Sequence, residues 1–329
     1  MTPPGRTAVT LPAGGTATGV GLALISAVSF GTSGTLARGL LDSGWSPGAA
    51  TLVRVALAAA AVAPLGALAL RGRWGVLRRN LSLVTAYGVL AVAGAQFCYF
   101  SAVQHMQVGP ALLIEYTAPA AVVGWIWVRQ GQRPSALTAI GAGVAALGLV
   151  LVLGLLGGVR VDPIGALWAL GAMVGAAAYF IISGDARTGL PGWTLAGGGL
   201  VVGAVVLAVL GLVGLLPIAA SSAPAVYGGH SVPVWLPVLG LGFISAALAY
   251  TSGIAAARRL GSRLASFVAL IEVLAAVLIA WAVLGEVPLP VQLLGGGLIV
   301  AGVIVVRLGE PAVALRGRLG PATRPTRRR

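Results

Sequence analysis

Ten stretches of this chain are each long and apolar enough to cross a bilayer, and that recurrence fixes the fold class. A spanning helix needs about 20 mainly apolar residues, because the hydrocarbon core is about 30 Å thick and each residue rises 1.5 Å. The stretches run approximately over 18–37, 49–70, 82–104, 109–128, 136–156, 163–183, 194–215, 234–257, 264–284 and 289–307. Lipid offers backbone groups no hydrogen-bonding partner, so continuous runs of this kind must be helices. The expectation is an all-α membrane protein with ten transmembrane helices, multi-pass in the cell (inner) membrane. Only 9% of the residues are charged, against about 25% in soluble domains. The first run is too long for the apolar part of a signal peptide and is followed by nine more. Residues 1–17 read as a disordered cytoplasmic tail and 308–329 as a basic cytoplasmic tail.

Arginine placement sets the orientation, since cytoplasmic loops collect Lys and Arg. With the N-terminus inside, eighteen of the 21 basic residues fall on the cytoplasmic side, all of them arginines. Arg38 and Arg160 fall outside, and Arg54 lies within a helix. The net charge of +14 therefore marks topology. No basic groove with interleaved aromatics is present, so no nucleic-acid partner is expected. The terminal arginines, ending in RPTRRR, could contact anionic lipid headgroups; the simpler reading is a solvated orientation signal.

The chain also repeats itself. Gly131-Gln-Arg-Pro134 and the run that follows align with Gly285-Glu-Val-Pro288 and its following run. Gly141, Gly143 and Gly148 then fall on Gly295, Gly297 and Gly302. Upstream, Tyr99-Phe-Ser-Ala aligns with Tyr250-Thr-Ser-Gly. Helices 1–5 (18–156) thus resemble helices 6–10 (163–307). Five is odd, so the second copy enters from the opposite side, giving two inverted five-helix repeats. This arrangement is a hallmark of secondary transporters, which bind their cargo near the midplane between the halves.

Three charges lie within the apolar runs: Arg54, Glu115 and Glu272. Each costs about 2.5–3.5 kcal/mol at a helix centre, so each is expected to face a partner or a wet cavity. Arg54 is about five residues into helix 2 and Glu115 about six into helix 4, which makes them level and able to pair. Pro119 lacks an N–H for the Glu115 carbonyl and should kink helix 4 there. Arg54 would attract a carboxylate with its fork of donors. Glu115 would hold an ammonium group or exchange a proton; the alternative is an acid that pairs with an arginine and does nothing else. Glu272 is a second candidate for cation contact, and Tyr116, Gln96, Tyr99 and Tyr250 are candidates for the cavity wall.

These features resemble the EamA-type branch of the drug/metabolite transporter superfamily. The resemblance rests on the ten helices, the two repeats, Gly-Glu-Val-Pro at 285–288 and Arg54 in helix 2. LIEYTAPAAV, 113–122, is similar to a segment of the threonine/homoserine exporter group, in which a glutamate and an aromatic precede Thr-x-Pro. The usual Glu-Pro of the second half is Glu272-Val273 here. The resemblance implies alternating access and a small-molecule cargo, such as an amino acid or related metabolite leaving the cell.

A receptor or scaffold on the same fold, a carrier for another metabolite or drug, and an intramembrane enzyme are the competing classes. No G-x-x-x-x-G-K-[ST] phosphate loop, catalytic triad or His/Glu metal motif is present, so no cofactor is expected. The single cysteine, Cys98, excludes an internal disulfide.

Overall fold

The computed structural model of the chain describes residues 13–106, 108–155 and 162–318. It shows ten membrane helices among these residues. Nine are Ala17–Asp42, Pro47–Leu70, Leu81–His105, Pro110–Gln130, Pro163–Gly184, Gly192–Leu212, Trp235–Leu260, Ser262–Leu284 and Pro290–Gly309. The remaining one, helix 5, is the shorter Ala136–Val152. At 1.5 Å per residue it is about 25 Å long, near the lower limit for a span.

The ends differ from the expected tails. Helix 1 already begins at Ala13, so the predicted disorder of 1–17 does not extend through 13–17; residues 1–12 and Arg160 lie outside the described residues. The same helix runs on to Asp42, one turn beyond the apolar stretch, where Arg38 Nε pairs with Asp42 at 3.1 Å. Helix 10 continues to Arg318, and the RPTRRR end again falls outside the described residues.

The helix boundaries follow from local chemistry. Ser46, Ser135 and Asp162 cap helices 2, 5 and 6 by accepting hydrogen bonds from backbone N–H groups of the first turn. Gly131 and Gly285 close helices 4 and 9 in the left-handed conformation, with φ 67° and 75°, and donate to Trp127 O and Trp281 O. These are the two glycines that the repeat aligns.

Packing follows the same symmetry. Helix 5 lies against helix 10 and helix 2 against helix 7. Helix 1 packs on helices 8 and 9, and helix 6 packs on helices 3 and 4. A two-fold relation requires that aligned residues exchange partners. Gly141 aligns with Gly295, and Gly148 with Gly302. A Cβ on Gly141 would sit 2.6 Å from Gly302 O, and one on Gly148 2.5 Å from Gly295 O. The contacts are thus exchanged as the symmetry demands, and glycine lets the two backbones touch. Gly148→Val should cost at least about 1–3 kcal/mol through overpacking, seen as a lower thermal midpoint in detergent. Gly143→Val should leave the midpoint unchanged, because a Cβ there meets nothing within 4 Å.

Four helices depart from regular α geometry, again in matched pairs. Helix 4 is broken between Val108–Glu115 and Ala118–Gln130. Helix 9 is broken at Leu270, between Ser262–Ala269 and Ile271–Leu284. Helices 3 and 8 widen into π-helical turns over Tyr87–Gly94 and Gly240–Leu248. Such irregular turns free backbone groups and occur where a helix lines a cavity.

The 216–233 connection is not featureless. It holds a hairpin, β1 (Ala225–Tyr227) and β2 (His230–Val232), turned by Gly228 and Gly229 at φ 54° and 83°. Two positive φ angles are what a tight hairpin turn needs, and a Gly-Gly pair provides them. The Tyr227 hydroxyl donates to Leu36 O at 2.6 Å and ties the hairpin to helix 1.

Candidate functional site

The irregular turns surround a cavity of about 580 Å³. Helices 1, 2, 3, 4, 6, 8 and 9 contribute to its wall, so it lies between the two repeats. Its lining reaches Leu41, Pro47 and Val108 at one end, where the 42–47 connection lies. At the other end it stops at Gly253, Ala256 and Ala265. There helix 8 touches helices 1 and 6: a Cβ on Gly253 would collide with the hydroxyls of Tyr179 and Ser26. The cavity is therefore closed on the side that carries Arg258 and Ser262.

All eight residues singled out from the sequence line this cavity. Arg54, Gln96, Tyr99, Glu115, Tyr116 and Pro119 come from the first repeat, and Tyr250 and Glu272 from the second. Most of the remaining wall is alanine, glycine and aromatic, so the charged groups face a largely apolar space.

Arg54 is held firmly and is only 8% exposed. Nη1 donates to Ser33 Oγ at 2.9 Å and Nη2 to Ser245 O at 3.0 Å. Ser245 lies in the π-helical stretch of helix 8, whose widened turn presents this carbonyl sideways. The guanidinium also stands over the Phe30 ring, 5.7 Å from its centroid, and Nε has no hydrogen-bond partner.

The pairing suggested by depth is not formed. Among the described residues no ion pair joins Arg54 to Glu115, whereas Arg38 pairs with Asp42 and Arg187 with Asp185. The acid whose charge reaches Arg54 is Glu272, from the opposite repeat. Counting residues along a helix gives depth and not lateral position, which is why the two first-half charges looked matched.

Glu115 sits where helix 4 breaks. Tyr116 N bonds Leu112 O, Thr117 N bonds Ile114 O and Ala120 N bonds Thr117 O. Pro119 follows with no N–H, so the Glu115 carbonyl receives no backbone donor across the break. Glu272 stands in the first turn after the break of helix 9, where the helix dipole favours an anion. The Tyr116 hydroxyl faces the Glu272 carboxyl, and the two acids lie within each other's electrostatic reach. One guanidinium and two carboxyls thus share one cavity, and a cation or a proton would balance the set.

Three contributors escape a sequence reading. Ser33 and the Ser245 carbonyl anchor Arg54, and Tyr179 forms the cavity floor with its ring 5.6 Å from that of Tyr250. Tyr179 was findable as a tyrosine inside an apolar run; the carbonyl had no side-chain signature. Cys98 is partly buried and packs against Gly171.

Residues 17–154 and 163–308 each match the EamA-like transporter family. A protein of known crystal structure superposes with a TM-score of 0.70 at 21% identity, over 93% of this chain and 99% of its own. No curated protein sequence matches.

Proposed function

The chain belongs to the EamA-like transporter family, and from that premise we propose that it is a secondary carrier exporting amino acids or closely similar metabolites. The observation that carries the reading is the charge set of the cavity: Arg54 and two carboxyls, Glu115 and Glu272, in a largely apolar space. A zwitterion offers a carboxylate to the first and an ammonium to the second. Hydrogen bonds to charged groups are worth about 1.5–3 kcal/mol each, and an apolar wall makes them selective by leaving an unmatched charge unpaired. A cavity of about 580 Å³ falls within the usual size for small-molecule sites, roughly 300–1,000 Å³.

The arginine asymmetry supports an N-terminus in the cytoplasm, an orientation in which the open end of the cavity faces outside the cell. Alternating access then consists of closing the Leu41/Pro47 end while the Gly253 seam opens. Glu115, at the helix break, is the group that exchanges a proton or holds the ammonium as this happens.

Thermal stabilisation of the purified protein tests the recognition step. Zwitterionic amino acids should raise the unfolding midpoint, and the matching amine-only and carboxylate-only compounds should raise it much less. Equal stabilisation by an amine or by a neutral apolar compound would point to a different cargo.

A further inference from the structure

Beyond the Gly253 seam lies a group of polar side chains that the cavity does not use. The hydroxyls of Tyr87 and Ser183 are fully buried and face each other, with no other hydrogen-bond partner. The buried Tyr179 hydroxyl, at the seam itself, faces the Ser26 hydroxyl. Arg258, in the last turn of helix 8, is half-buried; its Nε and Nη2 are buried without partners. Its Nη1 lies beside the start of helix 7, where a Cβ on Gly192 would meet it at 3.3 Å. The charge of Arg258 reaches Tyr87, whose hydroxyl is directed towards Ser183. Neither described ion pair involves Arg258. Buried donors are nearly always satisfied in folded proteins, and the unpartnered Nε and Nη2 of Arg258 beside these hydroxyls would suit an anion.

The repeat symmetry says which state. The open mouth is lined by Leu41 at the end of helix 1, Pro47 at the start of helix 2 and Val103 near the end of helix 3. The counterparts in the second repeat are the end of helix 6, the start of helix 7 and the end of helix 8. Ser183, Gly192 and Arg258 occupy those places. The sealed cluster therefore stands where the cavity mouth stands in the other half. It is also joined to the cavity by a ladder of rings: Tyr250 and Tyr179 are 5.6 Å apart, and Tyr179 and Tyr87 6.0 Å. Arg54 holds the Ser245 carbonyl at one end of this ladder. Arg258 lies 13 residues further along helix 8, or about 20 Å at 1.5 Å per residue.

We propose that Arg258, with the hydroxyls of Tyr87 and Ser183, forms a second anion site that takes the carboxylate of the cargo from the side sealed in this conformation. The proposal rests on the carrier reading above. Cargo enters at Arg258, passes the three tyrosines and is handed to Arg54. The two guanidiniums serve opposite faces of the membrane.

The test is sided transport in vesicles of known protein orientation, with a labelled zwitterionic amino acid presented to one face at a time. Arg258→Gln should raise KM for loading from the sealed face by about tenfold or more, the loss expected for a charge-assisted contact. KM from the open face should change less than about twofold, and Arg258→Lys should recover part of the loss. Tyr87→Phe, which removes one hydroxyl and little volume, should shift the same KM in the same direction and covers the case in which Arg258→Gln fails to fold. Equal effects from both faces, or none, overturn the second site while leaving the carrier reading intact. An effect that disappears in vesicles without anionic lipid assigns the site to a lipid headgroup and overturns it for cargo. A wild-type protein that moves no zwitterion in either direction overturns the carrier reading and this proposal together.

Discussion

Arg54→Gln should abolish measurable transport of a zwitterionic cargo, and Arg54→Lys should leave only a small residue of it. The guanidinium is preorganised: Ser33, the Ser245 carbonyl and the Phe30 face hold it at the cavity wall, with Nε unpaired. Losing contacts to a carboxylate worth about 1.5–3 kcal/mol each lowers affinity by on the order of 100-fold. Lysine keeps the charge but not the planar fork, so it cannot hold both anchors and a carboxylate. The glutamine variant also leaves Glu272 without a nearby cation. The check is the initial rate of labelled amino acid entry into vesicles, normalised to protein that elutes as a folded monodisperse peak.

Glu115→Gln should collapse gradient-driven accumulation by about tenfold or more without loss of folded protein, the size expected when a charge-assisted contact is removed. Glutamine has nearly the shape of the acid, and the break of helix 4 is set by Pro119 and the turn at Tyr116–Thr117, not by the carboxylate. The variant therefore isolates the charge. An ammonium loses its partner, and a coupled proton has no place to ride. Full gradient-driven accumulation by this variant would rule out both roles. Glu272→Gln is a useful contrast, since Glu272 lies near Arg54 and Tyr116 and its removal disturbs the anchor of the guanidinium as well.

The fold was legible because the bilayer allows so few solutions. Apolar runs of a set length, prolines and glycines at their ends, and Gly141/Gly148 aligned with Gly295/Gly302 contain both the helices and their two-fold relation. The family match over 17–154 and 163–308 and the 0.70 TM-score agree with the inverted-repeat architecture. Charge expense did the same for the site: a group that is costly in lipid must face something polar, and Arg54, Glu115 and Glu272 converge on one cavity.

What the sequence hid has physical reasons too. Pro119 announces the break in helix 4, but helix 9 breaks at Leu270 with no proline to mark it. The π-helical turns of helices 3 and 8 have no composition of their own, so the Ser245 carbonyl offered to Arg54 could not be foreseen. The Gly228-Gly229 hairpin is a short signal inside a Pro/Ser-rich connection. The Arg258 cluster is composed of residues that individually read as topology signal or core, and only their burial together sets them apart.

The most direct test of the account is flux through purified protein in liposomes, with labelled amino acids and an imposed pH gradient. A zwitterionic class should move, stimulated by the gradient, and that stimulation should be lost in Glu115→Gln. No movement of any zwitterion by protein shown to be folded would contradict it.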